Sequence, residues 1–488
     1  MQDRVTLGRR TLLVVLQYII GTVVGLICIM LPAKYFDVSV FGYVVGVGFA
    51  SYNILAFFSD LGLKQTHMSF VQRYDFAECN SSYALSKIIL SAVSSIVFLF
   101  ILLPSGISEI MLIFLLCAIL FTTRDIFVGI FDSRIETMKS QSSIMMEHVM
   151  RLIFTVAFTM LAIGKPESTQ ALYLSLTFLL SMMASTLVTF FFIRGYPFGR
   201  PAHVKEYFSA APAIAFMGGI DVIMLNADKL ILQFFVSDSE LGVYTGVNKI
   251  AQLVFYLSTA LITILLPAVA ARDDRGATDA TSFAERYLML IILPIAFFSI
   301  VLRNDIIRYL LPQSVFLNGS TAMILLMLAT LLLAGSRSEA VLLFAKNRKR
   351  EATGTNTTLA VFYVISTILF SEWYGINGAA FAALLSGLFS FSVFRYECKR
   401  IFGKPLIGGQ LLRQFIAVFV SSLVLFFMGF FDAGEMTLLF FLFRIAAGIV
   451  IYVFLLILFR ELGLKDLAYA MELIGGKGED KHNHNSEK

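Results

Sequence analysis

Apolar runs follow one another along the whole chain, each near the about twenty residues that a helix needs to cross a hydrocarbon layer of ~30 Å. Only short polar stretches part them, none large enough to fold alone. The pattern predicts about fourteen helices, centred near residues 22, 51, 94, 119, 153, 181, 224, 254, 294, 331, 362, 387, 420 and 448. Two connections are mere turns, PSGIS after Leu103 and FDAGE after Phe430. An even number of crossings returns both termini to one side. Composition agrees: of 488 residues 58% are hydrophobic and only 15% charged, which excludes the soluble globular class. The expected fold is all-α, a polytopic membrane protein.

Charge then orients the helices, because cytoplasmic loops retain Lys and Arg. One set of alternate loops carries Lys64, Arg73, Lys87, Arg134, Lys139, Arg194, Arg200, Lys205, Arg272, Arg275, Arg286, the run KNRKR at 346–350, and Arg395, Lys399, Arg400 and Lys404. The other offers Lys34, Lys165, Arg303 and Arg308. Both termini are therefore expected in the cytoplasm, and the net charge of +5 is a topological signature that needs no nucleic-acid partner. MQDRVTLGRR and the run after it lack a small-residue cleavage site and read as a retained first span. Cys28, Cys79, Cys117 and Cys398 are scattered without zinc or disulfide spacing, and no metal or cofactor is expected. The tail GGKGEDKHNHNSEK is polar and reads as disordered, with His482 and His484 not metal ligands.

SVFGYVVG at 39–46 and SELGVYTG at 239–246 share Ser, Gly and Gly at an offset of two hundred residues, six spans apart. Each holds a GxxxG step, and span 1 has another at Gly21 and Gly25, where neighbouring backbones can approach closely. Six intervening spans preserve direction, so the chain divides into parallel repeats related by an axis along the membrane normal. Residues 1–200 form a first six-helix lobe, 201–405 a second, 406–462 helices 13 and 14, and 463–488 a cytoplasmic tail.

The residues of FDVSVFGYVVGVGFASYNILAFFSDLGL (36–63), with its FG turn and DLG ending, resemble the first hairpin of polysaccharide and oligosaccharide flippases. These are the Wzx-type branch of the multidrug/oligosaccharidyl-lipid/polysaccharide (MOP) exporter superfamily. DKLILQFFVSDSELGVYTGVNKIAQ (228–252) is similar to that branch's acid-base pair and entry into span 8, and YGINGAAFAALLS (374–386) to its span 12. THMSFVQRYDFAECNSSYALSKI (66–88) resembles archaeal members. The resemblance implies alternating access by two six-helix lobes around a central cavity. It implies a polyprenyl- or dolichyl-phosphate-linked glycan as cargo.

An ionised side chain at the bilayer centre costs ~2.5–3.5 kcal/mol on insertion scales, so intramembrane charges mark chemistry or pairing. Asp228 on span 7 and Lys249 on span 8 fall at similar depth. One reading pairs them, leaving Lys229, roughly 100° around the helix, to face cargo. Asp221 lies on nearly the same face as Asp228, and two such acids line a wet cavity or carry a proton or sodium ion. Arg124 and Asp125 on span 4 share the depth of Glu147 and Arg151 on span 5; the latter two can pair, leaving Arg124 with Asp125 or with cargo. Span 10 adds Arg337 and Glu339, and Arg444 on span 14 has no obvious partner. Bases outnumber nearby acids, which predicts a partly cationic cavity. The substrate-binding candidates are Lys229, Arg124, Arg151, Lys249 and Arg337; the coupling or ion-pair candidates are Asp221, Asp228, Glu147 and Asp125.

Each sugar hydroxyl costs ~4–8 kcal/mol in hydrocarbon without a partner, so an oligosaccharide needs a polar path through the bilayer. Arg and Lys can hold its phosphate or pyrophosphate while the lipid tail stays in the membrane. The expected function is a flippase for a lipid-linked oligosaccharide, not an enzyme, in the cell membrane. Its partners are membrane lipids and the glycosyltransferases, polymerase or oligosaccharyltransferase of the same pathway. An ion-coupled drug or metabolite antiporter of the same superfamily is the alternative, and a membrane glycan polymerase a third, disfavoured by short outer loops. No Walker sequence is present, GVGFAS at 46–51 lies within a span, and RDDRG at 272–276 lacks a second acidic cluster.

Overall fold

The computed structural model describes residues 2–102, 108–218, 220–270, 272–403, 409–431 and 437–461. The expected turns PSGIS and FDAGE, apart from Ser108 and Phe431, and the tail at 463–488 lie outside the described residues.

Helix α1 runs Gln2–Tyr35. Asp37 then caps α2, Val38–Phe41, its carboxylate accepting from Ser39 N at 2.8 Å. The glycines that follow permit a π-helical turn, Gly42–Gly48, before α3, Phe49–Asp60. The DLG ending is a helix break, with Leu61 at φ 37° and Gly62 at φ 81°, and α4, Leu63–Phe70, completes the second pass. Next come α5 (Phe76–Leu102), α6 (Glu109–Ser133), α7 (Thr137–Ala162) and α8 (Glu167–Phe192). Helices α9 (Val204–Gly218) and α10 (Ile220–Leu232) make the seventh pass, and α11 (Asp238–Ala270) the eighth.

Helix α12 spans Asp274–Val301. Asp273, within RDDRG, caps it by accepting from Gly276 N at 3.0 Å, which gives that acidic motif a structural task. The short α13 (Arg303–Leu310) leads to α14 (Ser320–Ala345). Helix α15, Lys349–Phe402, is two passes joined without a loop at Gly375, whose φ of 54° and ψ of −131° only glycine adopts cheaply. Helices α16 (Gly409–Met428) and α17 (Leu438–Leu458) finish the described chain. Each of the fourteen expected centres lies in a helix. Among the described residues, ten helices are long and apolar enough, by length and composition, to cross a membrane.

Unlike a soluble protein, the chain presents an apolar outer surface around its core. Leu439 is 79% exposed, whereas Lys87 is 0% and Lys229 1% exposed. Large apolar side chains face outward where lipid would lie, and polar ones are gathered between helices. Helix α1 packs on α7, α7 on α8 and α3 on α5 and α6; in the second group α11 and α15 pack on α14, and α10 on α15. Helices α16 and α17 pack against α12.

The two groups meet where α2 and the π-helical turn cross α11, where α3 meets α10, and where α4 meets α9. At the first crossing the repeat-related glycines touch each other. A methyl on Gly42 would strike the Gly242 backbone and the Asp238 carbonyl, and one on Gly242 the Val38 carbonyl. Small residues were expected to let backbones approach, and here they do so between the two copies of the motif. We call the face where α1 begins the terminal face and the opposite one, which holds this crossing, the far face.

Candidate functional site

A cavity of about 270 Å³ opens between α1, the π-helical turn and the start of α3, and the middles of α7, α8 and α11. Arg151 on α7 and Lys249 on α11 line it together with Gln17, Cys28, His148 and Phe49. Both cations face the Phe49 ring, Lys249 Nζ at 4.8 Å and the Arg151 guanidinium at 5.8 Å from its centroid. Arg151 also lies 5.1 Å from the Phe178 centroid, and Gln17 Nε2 is 3.3 Å from His148 Nε2. Gly25 leaves the α1 wall open, with nothing within 4 Å of where a Cβ would stand.

The charges behind this wall do not cancel. Glu147 is buried and binds Arg124 through one carboxylate oxygen and Arg151 through the other. Arg124 also reaches Ser185 Oγ at 3.3 Å. Two arginines share one carboxylate, and no carboxylate among the described residues lies within ion-pair distance of Lys249. The expected Glu147–Arg151 pair is present, but Arg124 joins it and does not turn to Asp125. Residue i+4 on one helix and an arginine on the facing helix converge on the same acid.

The expected Asp228–Lys249 pair does not form. Asp228 is buried and takes Lys229 Nζ at 3.0 Å on Oδ1, with Tyr244 OH at 2.7 Å and Asn248 Nδ2 at 2.8 Å donating to Oδ2. Depth was legible, since Asn248 precedes Lys249, but each residue turns the side chain by about 100°, which carries Lys249 to the cavity side of α11. Lys229 is accordingly not free: its stem folds back along α10, and Nζ also donates to the Leu225 carbonyl at 2.8 Å. Asp221 is bound by Arg337, whose guanidinium lies 4.6 Å from the Phe255 centroid, beside a small void of about 40 Å³.

Asp125 pairs with Lys87 and, at 3.5 Å, with Lys64; Lys87 also binds Asp60 at 2.9 Å, and Lys64 binds Asp132 at 2.8 Å. Lys87, expected as a loop charge, lies inside α5 and is fully buried. Arg286 and Arg395 are also helical rather than loop charges, bound to Glu461 and to Glu285 and Glu339. Arg444 meets Asp305 at 3.2 Å and the Leu425 carbonyl at 2.8 Å. His148 escaped the sequence reading although it lies three residues before Arg151 and hence on its face. Phe49 and Gln17 carried no comparable signal. A wider groove of about 500 Å³ near the terminal face holds Arg350, Glu351, Glu397 and Arg400, with Arg400 and Glu397 at 2.5 Å, so its charges balance. Among the described residues no three His, Cys, Asp or Glu gather as a metal site, and all four cysteines are free thiols.

Comparison with solved structures matches the fold to the lipid II flippase MurJ in an inward closed conformation. The TM-score is 0.71 at 16% identity, covering 91% of this chain and 98% of that one. An inward-facing multidrug resistance MATE family transporter of the MOP superfamily matches with a TM-score of 0.60 at 12% identity, over 78% of this chain and 95% of its own. A MOP superfamily transporter from Pyrococcus furiosus matches at 0.55 and 11% identity, over 81% and 97%. Comparison with curated protein sequences gives no match. The polysaccharide biosynthesis protein family model matches residues 7–272, more than half of the chain. This multi-pass membrane protein therefore has the MOP fold and belongs to the polysaccharide biosynthesis protein family.

Proposed function

We propose that the protein flips a lipid-linked oligosaccharide, on a polyprenyl or dolichyl phosphate or pyrophosphate, from the cytoplasmic to the outer leaflet of the cell membrane. The terminal face is cytoplasmic in this reading, and the product feeds assembly of surface polysaccharide or glycoprotein by the transferases of that pathway. The carrying observation is that two arginines, Arg124 and Arg151, share the single acid Glu147 at the cavity wall, with Lys249 facing the same cavity and, among the described residues, no acid in ion-pair reach of it. Arg151 and Lys249 offer several N–H donors to a phosphate, in surroundings drier than water, where such bonds strengthen. At about 270 Å³ the cavity suits a phosphate with little attached. The glycan needs the two helix groups to part, and the Gly42–Gly242 crossing closes the far face until they do.

The antiporter alternative rests on Asp221 and Asp228 as ion-binding acids, and both are already neutralised by bases of the chain, Arg337 and Lys229. That pairing favours the flippase. The decisive experiment is mass spectrometry of lipid-linked glycans in cells lacking the protein, with an impermeant probe reporting which leaflet exposes the sugars. Complete glycans retained on the cytoplasmic leaflet are expected. Unchanged amount and sidedness would overturn the reading.

A further inference from the structure

Away from the cavity, Glu285 on α12 and Glu339 on α14 lie 1% and 0% exposed against a single guanidinium, that of Arg395 on α15. Arg395 Nη2 binds Glu285 Oε1 and lies 3.3 Å from Glu339 Oε1. Two carboxylates facing one arginine leave one negative charge over. Yet among the described residues no donor meets hydrogen-bond geometry at Glu285 Oε2 or at either Glu339 oxygen, and the neighbouring Ser338 hydroxyl donates to the Gly335 carbonyl at 3.2 Å.

Surrounding groups do not relieve this. On α15, Glu397 is held by Arg400 at 2.5 Å, and Cys398 Sγ donates to the Glu339 backbone carbonyl at 3.7 Å, not to its carboxylate. On α14, Arg337 is taken by Asp221, and Lys346 by the Arg272 carbonyl and Asp274. Arg286 on α12 and Arg413 on α16 both turn to Glu461, and Arg444 on α17 to Asp305. Helix α11, which packs along α14, has no titratable residue after Tyr256.

We propose that Glu285 and Glu339 form a binding site for one proton. With that proton on board, one carboxyl is neutral and able to donate an O–H, and Arg395 balances the charge of the other. The proton removes the excess buried charge. Arg395 is 21% exposed and lies within two turns of the terminal-face end of α15, which gives a proton a short route to the site. The site stands apart from the cargo cavity and does not depend on the identity of the cargo.

Infrared spectra of the purified full-length protein in lipid nanodiscs test this. A carbonyl band of a protonated carboxyl, shifting on transfer to D2O, is expected at neutral pH in the wild type and should be lost in Glu339→Gln or Glu285→Gln. Glutamine mimics the neutral carboxyl, so both variants should fold. No such band in the wild type, or its persistence in both variants, overturns the proposal. Melting temperature gives a second readout: the wild type should lose stability as pH rises, since deprotonation leaves buried negative charge, and Glu339→Gln should flatten that slope. An unchanged slope counts against a proton site and for a merely structural cluster. Replacing choline by sodium or potassium should leave the band alone; its disappearance would assign the site to a metal cation and overturn the proton.

Discussion

At the scale of single residues, one helical step separates two fates for charge in this protein. Asp228 and Lys229 saturate each other inside the second helix group, whereas Lys249, one position past an Asp228 ligand, faces the cavity. Lys229→Met should destabilise the purified protein by about 3–5 kcal/mol in thermal melts, because it strands a buried carboxylate. Adding Asp228→Asn in the same chain should recover much of that loss. Lys249→Ala and Arg151→Ala should instead leave melting nearly unchanged and slow flipping about ten- to a hundred-fold, the effect of losing a charged hydrogen bond worth ~1.5–3 kcal/mol. Lys249→Arg should keep most activity. The sequence disclosed the charged residues and their depth, since rise per residue is fixed. Direction around the helix was less legible: whether Lys229 turns back or outward depends on Tyr244 and Asn248 across the helix pair, and no local pattern encodes that contact.

Among elements, the helices at all fourteen expected centres were legible because a bilayer demands long apolar runs, and the GxxxG motif was visible twice at a fixed offset. The motif did not announce that its copies would touch, a fact that arises only when two groups are assembled. A methyl in that crossing has no free space, so Gly242→Ala should cost about 1–3 kcal/mol by overpacking. It should also speed labelling of a cysteine placed on α2 by an impermeant thiol reagent applied to the far face. Gly375→Ala should cost about 1–3 kcal/mol for a different reason, the backbone angle itself. Loop-charge bookkeeping read orientation from residues that are in part buried. Lys87, Arg286 and Arg395 lie within helices and bind acids on other parts of the chain, which a local count does not see.

For the whole molecule, outward movement of an anionic headgroup runs with an interior-negative potential, worth ~2.3 kcal/mol per charge per 100 mV if the full field is crossed. Flipping by the protein in vesicles should therefore accelerate when such a potential is imposed and slow when it is collapsed. Uptake of small cations driven by a sodium gradient should be absent. The far face also has a practical bearing. The described connections there from α1 to α2, α7 to α8 and α10 to α11 are at most five residues long, and at Gly375 there is no loop at all. Among the described residues, an antibody fragment raised as a fiducial for electron microscopy would find one sizeable epitope on that side, the connection from α12 to α14 at 302–319 that carries α13. Fusion tags belong on the terminal face, where α1 begins, and binders for the far face are best raised against that one connection.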